Sequence, residues 1–201
     1  MKTIGITGGV GTGKTELLAY IRTHYNCHII LADEAAHQVE KPGEKGYDEL
    51  VELLGEEILD TDGSIHKSRM AEKIFRDKAV LNQVNSIIHP KVKEYILQEI
   101  AEKRKEEKLD FLFVEAALLI EDGYEEILDE LWYIHTQTDI RRERLKKSRA
   151  YSDEKIERII QGQLSEKEFR KHCKVVIENN EDLTQAYKQI DKKLEEYLCQ
   201  R

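Results

Sequence analysis

Short apolar runs along the chain predict strands, and the segments between them have helical patterns. Four runs, at residues 3–7, 28–31, 111–114 and 131–135, predict strands, and a weaker fifth run lies at 174–177. Strands that alternate with helices predict an α/β fold of three layers, in which a parallel sheet has helices on both faces. The lack of polar residues in the run at 111–114 is typical of a strand that is buried on both faces.

The remaining pattern is helical. Residues 183–198 carry apolar side chains at helical spacing between charged ones, which predicts a helix packed on the sheet. Residues 43–108 contain no strand pattern. Apolar residues around Leu50 and Met70 predict two helices there, and a longer helix is predicted after Pro90. Because this region is longer than one crossover helix, it predicts an inserted helical subdomain.

Charge and cysteine content limit the classes of function. The chain of 201 residues has 40 acidic and 32 basic residues, and its formal charge of −8 disfavours duplex nucleic-acid binding. Cys27, Cys173 and Cys199 fit no metal-ligand spacing, which is typical of reduced cytosolic thiols. The sequence has no apolar run of membrane-helix length and no signal peptide at its start. It therefore predicts a cytoplasmic protein without membrane contact, either a monomer or a weak homo-oligomer.

One motif carries specific chemistry. The segment Gly8–Thr15 fits G-x-x-x-x-G-K-[ST] and stands between a predicted strand and a predicted helix, as a P-loop does. Its glycines let the backbone N–H groups form an anion-binding nest, and Lys14 supplies a charge for the β- and γ-phosphates of ATP. The Thr15 hydroxyl is expected to be a ligand for Mg²⁺. The predicted ATP-binding residues are Gly8, Gly9, Gly11, Thr12, Gly13, Lys14, Thr15 and Glu16.

The P-loop in so short a chain favours a P-loop NTPase-like kinase that transfers the γ-phosphate of ATP to a small molecule. The Asn-Lys-x-Asp motif that GTPases use to read guanine is absent from the sequence. Two alternatives stay open. One is a kinase for a nucleoside monophosphate or for shikimate, and the other is a regulatory module that binds ATP without phosphoryl transfer.

Two carboxylates follow predicted strands, where ligands of open α/β sheets bind. Asp33 is either the base that accepts the proton of the acceptor hydroxyl or the N-cap of the next helix, and its position favours neither. Glu115 ends the third strand and either holds Mg²⁺ through a water molecule or simply caps the strand.

Six basic residues between Arg141 and Arg149 form a cluster in an acidic protein. One helix cannot aim all of them at one point, so some form a solvated face, and one or two are expected to close over the triphosphate as lid arginines.

The predicted organisation is one domain with a core (about 1–42, 109–137 and 172–201), a helical acceptor-binding insertion (about 43–108) and a lid (about 138–171).

Several patches resemble the dephospho-coenzyme A kinase family in order and spacing. They are Ile6–Thr15, the segment 32–39, the His89-Pro90 pair, the segment 117–121, Arg144 to Arg149, Gln163 and the segment 176–180. The chain departs from the family pattern at Leu31, Ala117 and Glu115, where the family has Asp, Pro and Asp.

The resemblance implies a reaction in which ATP phosphorylates the ribose 3′-hydroxyl of dephospho-coenzyme A, with Mg²⁺, to give ADP and coenzyme A. This is the last step of coenzyme A biosynthesis. It implies roles for particular residues: Asp33 as the catalytic base, Lys14, Arg141 and Arg149 as catalytic cations, Asn179 at the adenine end of ATP, and Asp33, His89 and Leu118 in acceptor binding. Two alternatives stay open: Arg142 in place of Arg141 as a lid arginine, and His89 as only a helix-breaking pair with Pro90.

Overall fold

Five strands form one sheet in the computed structural model, which describes residues 1–200. The strands are β1 (Lys2–Thr7), β2 (Cys27–Leu31), β3 (Phe111–Glu115), β4 (Glu130–His135) and β5 (Val175–Glu178). Their order is β2-β3-β1-β4-β5, and β1 pairs in parallel with both β3 and β4, as β4 does with β5. All five predicted strands are confirmed, the weaker fifth included.

The described residues also form nine α-helices. They are α1 (Lys14–His24), α2 (Ala32–Val39), α3 (Lys45–Leu54), α4 (Lys67–Arg76), α5 (Lys78–Glu106), α6 (Thr138–Arg149), α7 (Asp153–Gln161), α8 (Glu166–His172) and α9 (Leu183–Cys199).

The helix predicted to begin after Pro90 begins earlier, because α5 continues through that proline. A proline inside a helix removes one backbone hydrogen bond and disfavours the helix. Here α5 buries an apolar stripe on both sides of Pro90, formed by Val84, Ile88, Val92 and Ile96. The pair His89-Pro90 is therefore not a helix-breaking pair, since packing on both sides outweighs the local cost.

The chain divides into two compact units. One contains residues 1–29 and 103–200, and its core includes the fully buried Phe111, Phe113 and Trp132. The other is residues 30–102, where Leu50, Ile58 and Ile96 are buried. No helix among residues 1–200 has the length and the apolar composition that crossing a membrane requires.

The central position of β1 sets where the P-loop begins. Ile4 and Ile6 are buried, and the register aligns Ile6 with Glu115 of β3 on one side and with Trp132 of β4 on the other. Because β1 is held between two strands, the loop that leaves it at Thr7 starts from a fixed point.

The packing of α9 yields a stability prediction. Leu194 is 0% exposed, whereas Leu198, one turn later on the same helix, is 37% exposed. Leu194→Ala should lower the free energy of unfolding by about 2–5 kcal/mol, since it removes buried methyl groups and leaves a cavity. Leu198→Ala should lower it by less than about 1 kcal/mol. Urea denaturation of both variants measures the difference, and equal effects would contradict the buried packing of α9.

Candidate active site

The P-loop predicted from the motif lies between β1 and α1. Gly13, the N-cap of α1, has φ 87°, a left-handed conformation that other residues rarely adopt. A Cβ on Gly13 would also lie 2.5 Å from Asn179 Nδ2, so this position has no room for a side chain. The Thr12 hydroxyl donates to Gly9 O at 2.9 Å and closes the loop internally. The glycine spacing therefore reflects both conformation and close packing.

The Lys14 side chain folds back along the loop. Its Nζ donates to Gly8 O at 2.8 Å and to Gly9 O at 3.4 Å, and lies 3.7 Å from Glu115 Oε1 at the end of β3. Backbone carbonyls and one carboxylate thus hold the ammonium against the loop. This places a positive charge beside a turn whose N–H groups suit an anion.

Oxygen donors suited to Mg²⁺ stand near the start of α1. Thr15 and Glu16 are exposed in its first turn, and Glu115 is half-buried next to Lys14. Within residues 1–200 no group of three or more acidic, His or Cys side chains forms a metal cluster. A magnesium ion that takes most of its ligands from phosphates and water needs only one or two side-chain oxygens, and a hydroxyl and a carboxylate fit that requirement.

A cluster of polar side chains, Asn179, Thr136 and Arg144, connects the P-loop to β5, β4 and α6. Asn179 is 1% exposed, and its Nδ2 donates to Thr12 O at 2.8 Å. The single proton of the Thr136 hydroxyl is shared between Asn179 O at 3.0 Å and Thr12 O at 3.2 Å. Arg144 Nη2 donates to Asn179 O at 3.0 Å. The structure therefore places Asn179 against the P-loop backbone. Its expected contact with the adenine end of ATP stays a prediction.

Thr136 and Arg144 were not among the predicted site residues. Thr136 directly follows β4 at the carboxyl end of a strand, where its neutral hydroxyl gives no such signal in the sequence as the carboxylates of Asp33 and Glu115 do. Arg144 belongs to the basic cluster, but its sequence position does not reveal which of the six cations faces inward. Two buried polar atoms in the described chain, Thr7 Oγ1 and Asn179 Oδ1, have no hydrogen-bond partner, and both residues adjoin the loop.

Arg141 lies on the inner face of α6 and is only 9% exposed. Its Nε donates to Val10 O at 3.0 Å, and its Nη2 donates to Gln163 Oε1 at 2.5 Å. A Cβ on Gly9 would lie 2.3 Å from Arg141 Nη2, so the guanidinium packs directly on the loop. Burial lowers the pKa of Arg141 from its ordinary value, because a charged group is poorly solvated there. Arg141 therefore contacts the P-loop backbone.

The other cations of the cluster lie elsewhere. Arg142 pairs with Glu157, and Lys146 pairs with Asp153 at 2.6 Å. Arg149 is exposed at the end of α6, with its guanidinium carbon 5.9 Å from the centre of the Tyr151 ring. The structure thus brings Arg141 to the loop, whereas Arg149 lies at the far end of the helix, and the lid role of Arg149 stays a prediction.

The expected acceptor residues lie on three different elements. Asp33 is exposed as the second residue of α2, right after β2. The N-cap of α2 is Leu31 and has no side-chain cap bond, so the alternative that Asp33 is an N-cap is wrong. His89 is half-buried on α5, and Leu118 is 40% exposed after β3. Their acceptor contacts, and the catalytic role of Asp33, stay predictions.

Comparison with known proteins identifies the family. The family model of dephospho-CoA kinases matches residues 2–185. A dephospho-CoA kinase of Listeria monocytogenes serovar 1/2a is 34% identical over 197 residues, which is 98% of each chain. The solved structure of TT1252 from Thermus thermophilus has a TM-score of 0.78 at 26% identity, over 97% of both chains. The dephospho-CoA kinase of Campylobacter jejuni shares the fold, with a TM-score of 0.73 at 21% identity, over 98% of this chain and 97% of that one. The predicted P-loop kinase fold is thereby confirmed, and the chain belongs to the dephospho-coenzyme A kinase family.

Proposed function

We propose that the protein transfers the γ-phosphate of ATP to the ribose 3′-hydroxyl of dephospho-coenzyme A, giving coenzyme A and ADP in the last step of coenzyme A biosynthesis. The observation that carries this proposal is the family match over residues 2–185, which includes the P-loop. The geometry of that loop supports it, since glycine backbone and Lys14 form a site for a polyphosphate.

The P-loop residues would bind and orient ATP. The N–H groups of the loop and of the first turn of α1 donate to the phosphates, and the Lys14 ammonium contacts the β- and γ-phosphate oxygens. Thr15, and Glu115 through a water molecule, are the residues that would hold Mg²⁺. Bound with ATP, Mg²⁺ supplies charge neutralisation of the phosphates. Catalysis of this kind depends mainly on positioning and on charge stabilisation.

Asp33 would serve as the base. The 3′-oxygen of the acceptor ribose forms a bond to the γ-phosphorus while the bond from that phosphorus to the β–γ bridging oxygen breaks, and ADP leaves with the electron pair. The hydroxyl proton passes to the Asp33 carboxylate. The position of Asp33 directly after β2 supports this role, because ligands in open α/β sheets bind outside the carboxyl ends of strands.

The remaining expected roles belong to this proposal as well. Arg141 and Arg149 would stabilise the charge that develops on the transferred phosphoryl group, and Asn179 would contact the adenine end of ATP. The insertion at about 43–108, with His89, and the segment around Leu118 would bind the acceptor. The segment at about 138–171 would act as the lid of a single domain. A reducing compartment such as the cytoplasm suits the three free cysteines among the described residues.

A direct assay tests the proposed function against its rivals. The full chain is incubated with Mg·ATP and one acceptor at a time: dephospho-coenzyme A, shikimate or a nucleoside monophosphate. Products are separated by chromatography with mass detection. Coenzyme A formed in preference to the other phosphorylated products supports the proposal. Transfer to another acceptor, or ATP binding without transfer to any of them, would contradict it.

Loss of the P-loop lysine should abolish most of the activity. Lys14→Ala removes the cation next to the phosphates, so kcat/KM for ATP should fall at least about 100-fold. Lys188→Ala, which removes an exposed lysine from α9, is the control and should keep wild-type kinetics. Steady-state rates with both variants measure the effect, and a Lys14→Ala variant of near-normal activity would remove Lys14 from the mechanism.

Removal of the base should affect the chemical step and leave ATP binding intact. Asp33→Asn should lower kcat about 100- to 10,000-fold, since the amide cannot accept the hydroxyl proton, with an unchanged dissociation constant for ATP. Glu34→Gln alters the next carboxylate, which is also exposed on α2, and should have little effect. Comparable kcat values for Asp33→Asn and Glu34→Gln would argue that Asp33 is not the base.

A further inference from the structure

The charges of α6 are sorted between its two faces. On the outer face, Arg142 and Lys146 pair with Glu157 and Asp153. On the inner face, Arg141 and Arg144 stand three residues apart, on one side of the helix. Their guanidinium groups bond to backbone carbonyls and neutral side chains at the P-loop. Within residues 1–200, therefore, the two α6 arginines nearest the loop form no ion pair with a carboxylate, whereas Lys14 of the loop itself lies near Glu115.

Arg141 is the clearest case, because it is both buried and without an acid. In the described part of the chain no carboxylate pairs with it, and its two hydrogen bonds go to Val10 O and Gln163 Oε1. Because a guanidinium group has five N–H donors, most of the donors of Arg141 are not used by these two hydrogen bonds. A buried charge without a partner is costly, and such charges persist where a ligand supplies the partner.

Gln163 fixes the direction of this guanidinium. It lies in the turn between α7 and α8, and its amide oxygen accepts from Arg141 Nη2 while Nε is bound to Val10 O. Two bonds from different nitrogens hold the guanidinium plane against Gly9. A neutral amide does this without neutralising the charge. A carboxylate in the same place would form a stronger, charge-assisted pair and would neutralise Arg141.

We infer that Gln163 is a positioning residue that holds Arg141 on the P-loop and, as a neutral amide, leaves its positive charge for the phosphates of the bound nucleotide. This inference rests on the proposed use of ATP, but not on the identity of the acceptor. The ligand class concerned is the polyphosphate group, independent of the base that carries it. In this arrangement the segment between α7 and α8 contributes to nucleotide affinity through Arg141.

An isosteric charge change separates this role from a merely structural one. Gln163→Glu should weaken the binding of ATP and of inorganic tripolyphosphate at least about 10-fold in titration calorimetry, because the new carboxylate neutralises Arg141. It should leave adenosine binding unchanged and should keep or raise Tm, since the pair becomes stronger. Gln161→Glu, which adds the same charge at an exposed position of α7, is the matched control. If Gln163 served only to stabilise the fold, Gln163→Glu would bind tripolyphosphate as well as the wild type does, and this result would contradict the inference.

A second variant identifies the group through which Gln163 acts. In an Arg141→Met background the further effect of Gln163→Glu on tripolyphosphate affinity should be several-fold smaller, because the charge to be neutralised is gone. An undiminished effect would indicate direct repulsion of phosphate by the new carboxylate and would overturn the inference. A wild-type protein that binds tripolyphosphate but makes no coenzyme A would refute the proposed function alone. A wild type that binds neither ATP nor tripolyphosphate would refute both.

Discussion

The backbone carbonyls of the P-loop impose the constraint on which the site depends. A loop that turns its N–H groups toward an anion must direct several C=O groups outward, and each buried carbonyl needs a donor. Side chains supply those donors. Lys14 reaches Gly8 O, Thr12 closes onto Gly9 O, Arg141 binds Val10 O, and Asn179 with Thr136 covers Thr12 O. The loop itself, the ends of β4 and β5, and helix α6 carry these donors and are arranged around this requirement.

This constraint gives the glycines a second function besides conformational freedom. Gly13 is required for its positive φ. Gly9 is required for a different reason, since the guanidinium of Arg141 occupies the space that a side chain at this position would need. The side chains that donate hydrogen bonds to the loop carbonyls thus also pack against the outer surface of the loop. A residue with a Cβ at either glycine would displace Asn179 or Arg141, and with it a hydrogen bond to the loop.

The sequence predicted the strands, the P-loop and its family because those features depend on local patterns. Apolar runs define β1 to β5, and the spacing from Gly8 to Thr15 defines the loop. The parts that it did not predict depend on contacts between distant residues. Nothing around Gln163 or Thr136 reveals that each would approach the loop, and the six basic residues of α6 look alike until the fold separates inner from outer face. The helix start predicted after Pro90 was wrong, because helix propensity depends on nearby residues, whereas the packing that stabilises α5 depends on distant ones.

The contacts of Lys14 have a consequence for turnover in the proposed reaction. Gly8 O and Glu115 already contact its ammonium in the protein alone. In the proposed reaction, a phosphate that binds Lys14 would therefore replace these partners instead of meeting an unpaired cation. The net gain in affinity is the difference between two sets of contacts, which is smaller than either set by itself. When ADP departs, the same carbonyl and carboxylate can take the ammonium back. An enzyme that must release product in every cycle benefits from such an exchange, because it lowers the barrier that tight phosphate binding would otherwise set to product release.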